Sequence, residues 1–340
     1  MKVLVYYQTS NRKDIYEAMR LRKNLKGACE LAGITHVKSA LDQYDLVHFI
    51  SSNDESAIND AIENHKPVCI SALMCESDPT AKMIVSTSKG DYLSSKALRV
   101  LNKVDMVFVS SMQAMSFLKS QGVTSDIRFL PSGVNLSRFQ PVSETEKEIF
   151  YRYFSANKAD KIVVSVAEYD TQDEVDKFIE IAKRCPDVKF YFIGQSKRPT
   201  SLSRKIKKIM RRTPTNVNLN PILDDDVYRS LMMNSDIYLS LSPLKADSVT
   251  ILDAMAAKAQ IIAFKSDQTS DSFLTSDVAY FGKNIDEVAN IIKLYLANGL
   301  TPTADKAYDI AKEFSLYEIG KKLKLYYSEL FEKTEERKHD

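Results

Sequence analysis

The sequence predicts an α/β protein of two domains, each built on a parallel sheet with helices packed on its faces. Short runs rich in Val, Ile, Phe and Tyr alternate with stretches of helical periodicity along the whole chain. The length of 340 residues suits two domains of ordinary size. Turn-forming residues at 131–135, with the sequence PSGVN, interrupt this alternation near the middle of the chain.

The apolar runs predict buried strands, because a sheet covered by helices on both faces has nearly continuous apolar strands. In the first domain these runs are 3–7, 45–51, 67–73, 105–110 and 127–130. In the second domain they are 161–166, 189–194, 217–222, 236–241, 260–264 and 279–281. Strands that alternate with helices favour right-handed crossovers between parallel neighbours.

Apolar residues three and four positions apart predict the helices. The first such stretch runs from Ile15 to Ala32 and is followed by Gly33, a common helix stop. Further helices are predicted over 144–154, 174–184 and 315–332. The expected division is a first domain over 1–140, a linker over 141–158, a second domain over 159–314, the closing helix over 315–332 and a frayed tail over 333–340.

Composition and charge exclude several classes of protein. Hydrophobic residues make up 44% and charged residues 27% of the chain, as a packed soluble protein requires. The net charge of +2 does not support nucleic acid as a partner. No apolar run approaches the ~18 residues that span a bilayer, and the apolar start is too short for a signal peptide. Four cysteines without a Cys-x-x-Cys pair and only four histidines predict a cytoplasmic protein with free thiols and no metal site.

The segment 129–141, FLPSGVNLSRFQP, resembles the interdomain signature of glycosyltransferase family 4. Ser132 stands for the usual Asn and Asn135 for the usual Asp, and both keep a small polar turn former. Similar matches to the family occur at 44–48, 102–112, 228–241, 251–259 and 311–330. The resemblance spans nearly the whole chain, and its length and order are most similar to bacterial enzymes that add a second hexose to a hexosyl-diacylglycerol.

This resemblance implies the GT-B fold, in which two Rossmann-like domains with parallel sheets face a central cleft. It implies an acceptor domain first and a nucleotide-sugar domain second. The implied enzyme is a retaining hexosyltransferase that moves a hexose from a UDP-sugar to a lipid-linked or saccharide hydroxyl. An alternative is a catalytically degraded relative that acts as a partner or regulator of an active glycosyltransferase. A Rossmann enzyme without a sugar substrate is disfavoured, because the chain contains no Gly-x-Gly-x-x-Gly.

The donor site implied by the resemblance departs from the family pattern. The family's two-Glu motif maps onto Lys245 and Asp253. Asp253 keeps a carboxylate that can accept ribose hydroxyls, whereas Lys245 inverts the charge that normally faces the sugar. The loop over 168–174, where the family has basic residues, carries acids that repel a diphosphate unless a divalent cation such as Mg²⁺ bridges them. The same acids also fit an ordinary helix start.

The segment before Asp253 opens a helix and predicts the phosphate contact. Ser248 is a suitable cap, and the free N–H groups at Ser248, Val249 and Thr250 form an anion site suited to a diphosphate. Simple capping is the alternative. The family's acceptor-side His is missing, and Glu76 or Asp78 could take its place. Together with Lys245, these two residues are the candidates for a catalytic role, and no permanently bound cofactor is expected.

A strongly basic segment predicts the membrane contact. The stretch 196–212 contains no acid and has Leu202, Ile206 and Ile209 on one helical stripe. This composition is typical of a helix lying on anionic lipid at the inner face of the cell membrane. The predicted membrane-facing residues are Arg204, Lys205, Lys207, Lys208, Arg211 and Arg212. The stripe could instead pack on its own domain, and RNA is disfavoured because no aromatic residue interleaves the charges.

Overall fold

A computed structural model divides the chain into two units, Met1–Gly133 with Phe314–Asp340 and Val134–Glu313. The residues that the structure describes are 1–7, 16–37, 39–50, 54–72, 84–87, 90–140, 143–168, 172–195, 208–209, 211, 213–221, 223–241, 249–265 and 273–339.

The described strands, in chain order, are β1 Lys2–Tyr6, β2 Thr35–Val37, β3 Leu46–Phe49, β4 Val68–Ser71, β5 Ile84–Thr87, β6 Gly90–Leu93, β7 Met106–Val109, β8 Asp126–Phe129, β9 Ile162–Glu168, β10 Lys189–Gln195, β11 Val217–Asn220, β12 Ile237–Ser240, β13 Gln260–Phe264 and β14 Ala279–Gly282. The described helices are α1 Tyr16–Leu31, α2 Glu55–Glu63, α3 Ser95–Leu101, α4 Met112–Ser120, α5 Glu144–Phe154, α6 Gln172–Arg184, α7 Asp225–Met233, α8 Val249–Ala256, α9 Ile285–Leu296, α10 Ala304–Glu313 and α11 Leu316–His339.

Each unit is built on a six-stranded parallel sheet. The first sheet has the order β2-β1-β3-β4-β7-β8, and β5 and β6 form a separate antiparallel pair. The second sheet has the order β11-β10-β9-β12-β13-β14. Counted within its unit, this second order is 3-2-1-4-5-6, which is the Rossmann order. The predicted α/β class with parallel sheets is therefore confirmed.

Every apolar run named above coincides with a strand to within a few residues. The sequence did not predict β2, because this edge strand is only partly buried and lacks an apolar run. The helix predicted over 174–184 lies in α6, where Val175, Phe178 and Ile179 are buried as the stripe requires. Phe178 packs edge-on against Phe190 and Phe192 of β10, with ring centroids 5.4 and 5.3 Å apart.

The region 141–158, predicted as a linker between the domains, lies within the second unit. It contains α5, whose Lys147 carbonyl accepts hydrogen bonds from Ser230 of α7 and from Asn234, the residue after α7, at 2.9 Å each. Phe150, also in α5, is fully buried. The helix belongs to the second unit because these contacts fix it there, and the division falls instead at Gly133 and at Phe314.

The closing helix is longer than predicted. Its stripe of Leu316, Ile319, Leu323, Tyr327 and Leu330 is buried in the core of the first unit, with α1 and the sheet. The expected frayed tail over 333–340 is wrong as far as residue 339, because α11 continues to His339. Charged residues with good helical propensity extend it, and Thr334 donates a hydrogen bond to the Leu330 carbonyl at 2.9 Å.

Candidate functional site

The strand order of the second sheet indicates where a ligand binds. From β9 the chain adds β10 and β11 on one side of the sheet and then β12, β13 and β14 on the other side. The strand order therefore reverses between β9 and β12, which are neighbours in the sheet. Open α/β sheets bind ligands outside the carboxyl ends of the strands at such a point. In the second unit these ends are Glu168 of β9 and Ser240 of β12, and α8 follows β12 in the chain.

Helix α8 is the described element that carries the predicted donor-site residues. All of its residues are buried, because its sequence VTILDAMA is apolar except at Thr250 and Asp253. Thr250 hydrogen-bonds Tyr238 of β12, with 3.0 Å between the two hydroxyl oxygens. The side chains of Val249 and Thr250 are thus packed within the unit.

Asp253 lies inside a small polar cluster on the second turn of α8. Asp253 is 1% exposed. Its Oδ2 atom accepts a hydrogen bond from the Tyr228 hydroxyl at 3.0 Å and lies 3.6 Å from Nη1 of Arg138. The carboxylate is therefore shared between a phenol from α7 and a guanidinium from the turn at 136–139.

Arg138 connects two carboxylates in this cluster. Its Nη2 atom also forms an ion pair with Asp225 at the start of α7. The guanidinium lies 5.4 Å from the ring centre of Tyr228 and 5.1 Å from that of Phe139. Its Nε atom is buried and has no hydrogen-bond partner in the described part of the chain. Arg138 thus holds the segment 136–139 against both α7 and α8.

Sequence reasoning missed Arg138, Asp225 and Tyr228 as members of this site. Arg138 was part of the interdomain signature, and Tyr228 opened a second matching segment. Neither segment alone indicated that they meet at Asp253. One signal in the sequence could have indicated the cluster. The segments 129–141, 228–241 and 251–259 all resemble the same family, and each contains one of the polar residues Arg138, Tyr228 and Asp253.

The acidic stretch at 168–174 is only partly described. Glu168 ends β9, and Asp173 and Glu174 lie in the first turn of α6. Glu174 is 6% exposed. This placement fits the interpretation of the acids as an ordinary helix start, where the macrodipole favours carboxylates.

Several predicted site residues lie outside the described residues. These are Glu76, Asp78, Arg204, Lys205, Lys207, Arg212, Lys245 and Ser248. Two members of the basic segment are described, Lys208 and Arg211, and both are exposed. In the part of the chain that the structure describes, we find no helix whose length and apolar content would let it span a bilayer.

Comparisons with known proteins agree with this architecture. The family of GftB/GlyA-F C-terminal domains matches residues 170–304. The chain is 21% identical over 331 residues to a processive diacylglycerol alpha-glucosyltransferase of Acholeplasma laidlawii, covering 97% of this chain and 98% of that protein. It is 23% identical over 219 residues to an alpha-galactosylglucosyldiacylglycerol synthase of Streptococcus pneumoniae, covering 63% of this chain and 58% of that protein.

A solved structure supports the same fold. The crystal structure of HepE from Anabaena in complex with UDP-glucose matches with a TM-score of 0.72 at 13% identity, over 97% of this chain and 100% of that one. The chain therefore has the GT-B fold of glycosyltransferases, and in sequence it resembles the hexosyl-diacylglycerol transferases. Both predictions are confirmed.

Proposed function

We propose that this glycosyltransferase moves a hexose from a UDP-sugar to a hydroxyl of a lipid-linked sugar at the cytoplasmic face of the membrane, with retention at the anomeric carbon. The supporting observation is the match to a diacylglycerol glucosyltransferase over 97% of this chain and 98% of that protein. An alignment of this extent includes both units. The first unit is proposed to bind the acceptor and the second to bind the UDP-sugar.

The donor site is proposed at the start of α8. Backbone N–H groups at Ser248, Val249 and Thr250 would hold the diphosphate, because a helix N-terminus carries partial positive charge. Asp253 would accept the ribose hydroxyls. Tyr228 and Arg138 both contact Oδ2 of this carboxylate, and a carboxylate offers about four lone-pair sites. Arg138 would fix the orientation of the carboxylate.

A transfer assay tests the proposed reaction. Labelled UDP-glucose is incubated with the protein and vesicles of glucosyl-diacylglycerol and phosphatidylglycerol, with and without Mg²⁺. We expect a labelled dihexosyl-lipid whose new linkage keeps the configuration of the donor. A dependence on Mg²⁺ would assign the acidic stretch near Glu168 to a bridging cation. Absence of any labelled lipid with UDP-glucose, UDP-galactose and other UDP-hexoses would contradict the proposal.

A second candidate function is a degraded relative that acts as a partner or regulator of an active glycosyltransferase. The observation that favours it is the burial of Asp253, whose Oδ2 atom already contacts Tyr228 and Arg138. A carboxylate used only inside the unit would not contact ribose. This candidate predicts no nucleotide binding by the isolated chain, and it predicts that the chain raises the activity of a separate enzyme.

Replacement of Asp253 distinguishes these two roles. We expect Asp253→Asn to weaken UDP binding between tenfold and a hundredfold, because a charge-assisted hydrogen bond is worth about 1.5–3 kcal/mol. The matched control is Tyr228→Phe, which removes the phenol but leaves the carboxylate, and it should change UDP affinity little. Both variants should lose some stability, measured by urea unfolding. Equal UDP affinities for Asp253→Asn and the wild type would assign the carboxylate to an internal role.

Membrane association is proposed for the basic segment around Lys208 and Arg211. Reversing Lys205, Lys207, Lys208 and Arg211 to Glu should abolish flotation with vesicles that contain phosphatidylglycerol, because each basic residue near such a surface contributes about 1 kcal/mol. A control variant reverses four other exposed lysines of the same unit, Lys265, Lys283, Lys293 and Lys306. If both variants float equally well, the basic segment is not the membrane contact.

A further inference from the structure

A row of four buried polar side chains crosses the core of the first unit. His48 of β3 is 0% exposed. Its Nδ1 atom lies 2.7 Å from the hydroxyl of Tyr327 in α11, and its Nε2 atom lies 2.8 Å from the hydroxyl of Ser71 at the end of β4. The Tyr327 hydroxyl also hydrogen-bonds the thiol of Cys29 in α1. The row therefore runs from Cys29 through Tyr327 and His48 to Ser71.

All four groups are neutral at physiological pH. Burial lowers the pKa of His48 to about 3 and raises the pKa of Cys29 to about 12. Burial also raises the pKa of Tyr327 well above its usual value of 10. A histidine with this pKa does not take a proton from a hydroxyl at neutral pH. His48 is therefore not a general base, and it does not activate Ser71 as a nucleophile.

The number of protons fixes how the row can be oriented. Each neutral group carries one proton, so four protons serve three hydrogen bonds and one proton remains at an end. In one orientation, called inward here, every proton points from Ser71 toward Cys29. Ser71 then donates to Nε2 of His48, His48 donates from Nδ1 to Tyr327, and Tyr327 donates to Cys29.

In the inward orientation Ser71 donates its proton to His48, so His48 does not occupy the lone pairs of the Ser71 oxygen. Ser71 is also the less buried end of the row, since it is 8% exposed whereas His48 and Tyr327 are 0% exposed. It is the last residue of β4, at the carboxyl end of the first sheet. Chain growth in this sheet changes direction between β1 and β3, and β4 lies beside β3. Ligands of open α/β sheets bind at this edge.

We propose that Ser71 accepts a hydrogen bond from the acceptor hydroxyl of the sugar, and that His48 and Tyr327 are positioning residues that keep its lone pairs turned toward that hydroxyl. An acceptor held in this way directs its proton toward Ser71 and keeps a lone pair of its own oxygen turned away from Ser71. The proposal rests on the proposed glycosyl transfer for the identity of the ligand, a sugar hydroxyl.

Binding of glucosylglycerol, the soluble headgroup of the lipid acceptor, tests this proposal without turnover. We expect Ser71→Ala to weaken its binding, measured by NMR titration, about tenfold, as loss of one hydrogen bond does. Ser71→Thr, which keeps the hydroxyl, should restore most of it. Ser125→Ala is the matched control, because this serine donates to the Leu101 and Val104 carbonyls at the opposite end of the sheet.

Tyr327→Phe separates a positioning role from a purely structural one. Without the phenol, the His48 proton moves to Nε2 and donates to Ser71, which turns the Ser71 proton outward. This variant should bind glucosylglycerol more weakly than the wild type but more strongly than Ser71→Ala, because a sugar hydroxyl can also accept the reversed hydrogen bond, while UDP affinity stays unchanged. The ¹⁵N shifts of His48 should show an Nδ1–H tautomer in the wild type and an Nε2–H tautomer in Tyr327→Phe.

Three results would overturn the proposal: an Nε2–H tautomer in the wild type, unchanged glucosylglycerol binding in Ser71→Ala, or no glucosylglycerol binding by the wild type. UDP binding by the wild type is measured in the same samples. Failure of the proposed donor site would therefore be seen separately from failure at Ser71.

Discussion

Acidification from pH 6.5 to pH 3 is expected to remove about 4 kcal/mol of the free energy of unfolding through His48 alone. Burial depresses the pKa of this ring from 6.5 to about 3 in the folded protein. Between these values the unfolded chain binds a proton at His48 and the folded chain does not. The stability is therefore fully present above pH 6.5 and is lost as the pH falls toward 3, at about 1.4 kcal/mol per pH unit.

The variant His48→Asn isolates this effect from the titration of other groups. It loses the hydrogen bonds to Ser71 and Tyr327, so it should be less stable than the wild type at pH 7. Because Asn does not titrate, the gap between the two proteins should narrow by about 2 kcal/mol between pH 6.5 and pH 5. Urea unfolding at a series of pH values measures the gap. A gap that stays constant would show that His48 is protonated as easily in the folded protein as in the unfolded one.

Gly320→Ala is expected to destabilise the first unit by about 3 kcal/mol, at the upper end of the usual cost of overpacking. A Cβ atom at Gly320 of α11 would lie 2.4 Å from the carbonyl oxygen of Ala28 in α1 and 3.1 Å from the Cβ of Ala32, the residue after α1. The oxygen belongs to helical backbone and cannot rotate away. The two helices would have to separate along a contact that buries much of the closing helix.

Gly27→Ala is the matched control, because it places the same methyl group in α1, the helix that packs against α11. There the new Cβ would meet only the Leu316 Cδ1 atom, at 3.1 Å. A side-chain methyl can move by a few tenths of an ångström, and alanine favours a helix over glycine by about 1 kcal/mol. We expect this variant to be neutral or slightly stabilised in urea unfolding. Equal losses for both variants would mean that helix packing is not the cause.

The fold could be predicted from sequence to the extent that its elements carry local signals. Strands such as β13 are apolar runs between turn residues, and α5 was predicted with the same ends as it has in the structure. The edge strand β2 could not be predicted, because its residues are exposed or half-buried and show no pattern. The end of α11 was missed because charged residues suit both a helix and a frayed tail.

The candidate site was predictable only where one segment carries it. Asp253 could be identified from the resemblance of its helix to one family. Its partners could not, because Tyr228 lies 25 positions away and Arg138 comes from a different segment. The same limit applies to His48 and Tyr327, which are 279 positions apart and meet only in the folded core. Such pairs follow from the packing of α7, α8 and α11, which a single sequence does not encode locally.

Above all, we infer that the second unit binds a UDP-sugar although the family's basic and acidic contacts are largely replaced. Calorimetric titration of the purified chain with UDP-glucose and UDP, with and without Mg²⁺, tests this inference most directly. We expect saturable binding of one nucleotide per chain that is weakened by Asp253→Asn and unaffected by Ser71→Ala. Absence of binding at millimolar nucleotide under both conditions would contradict it.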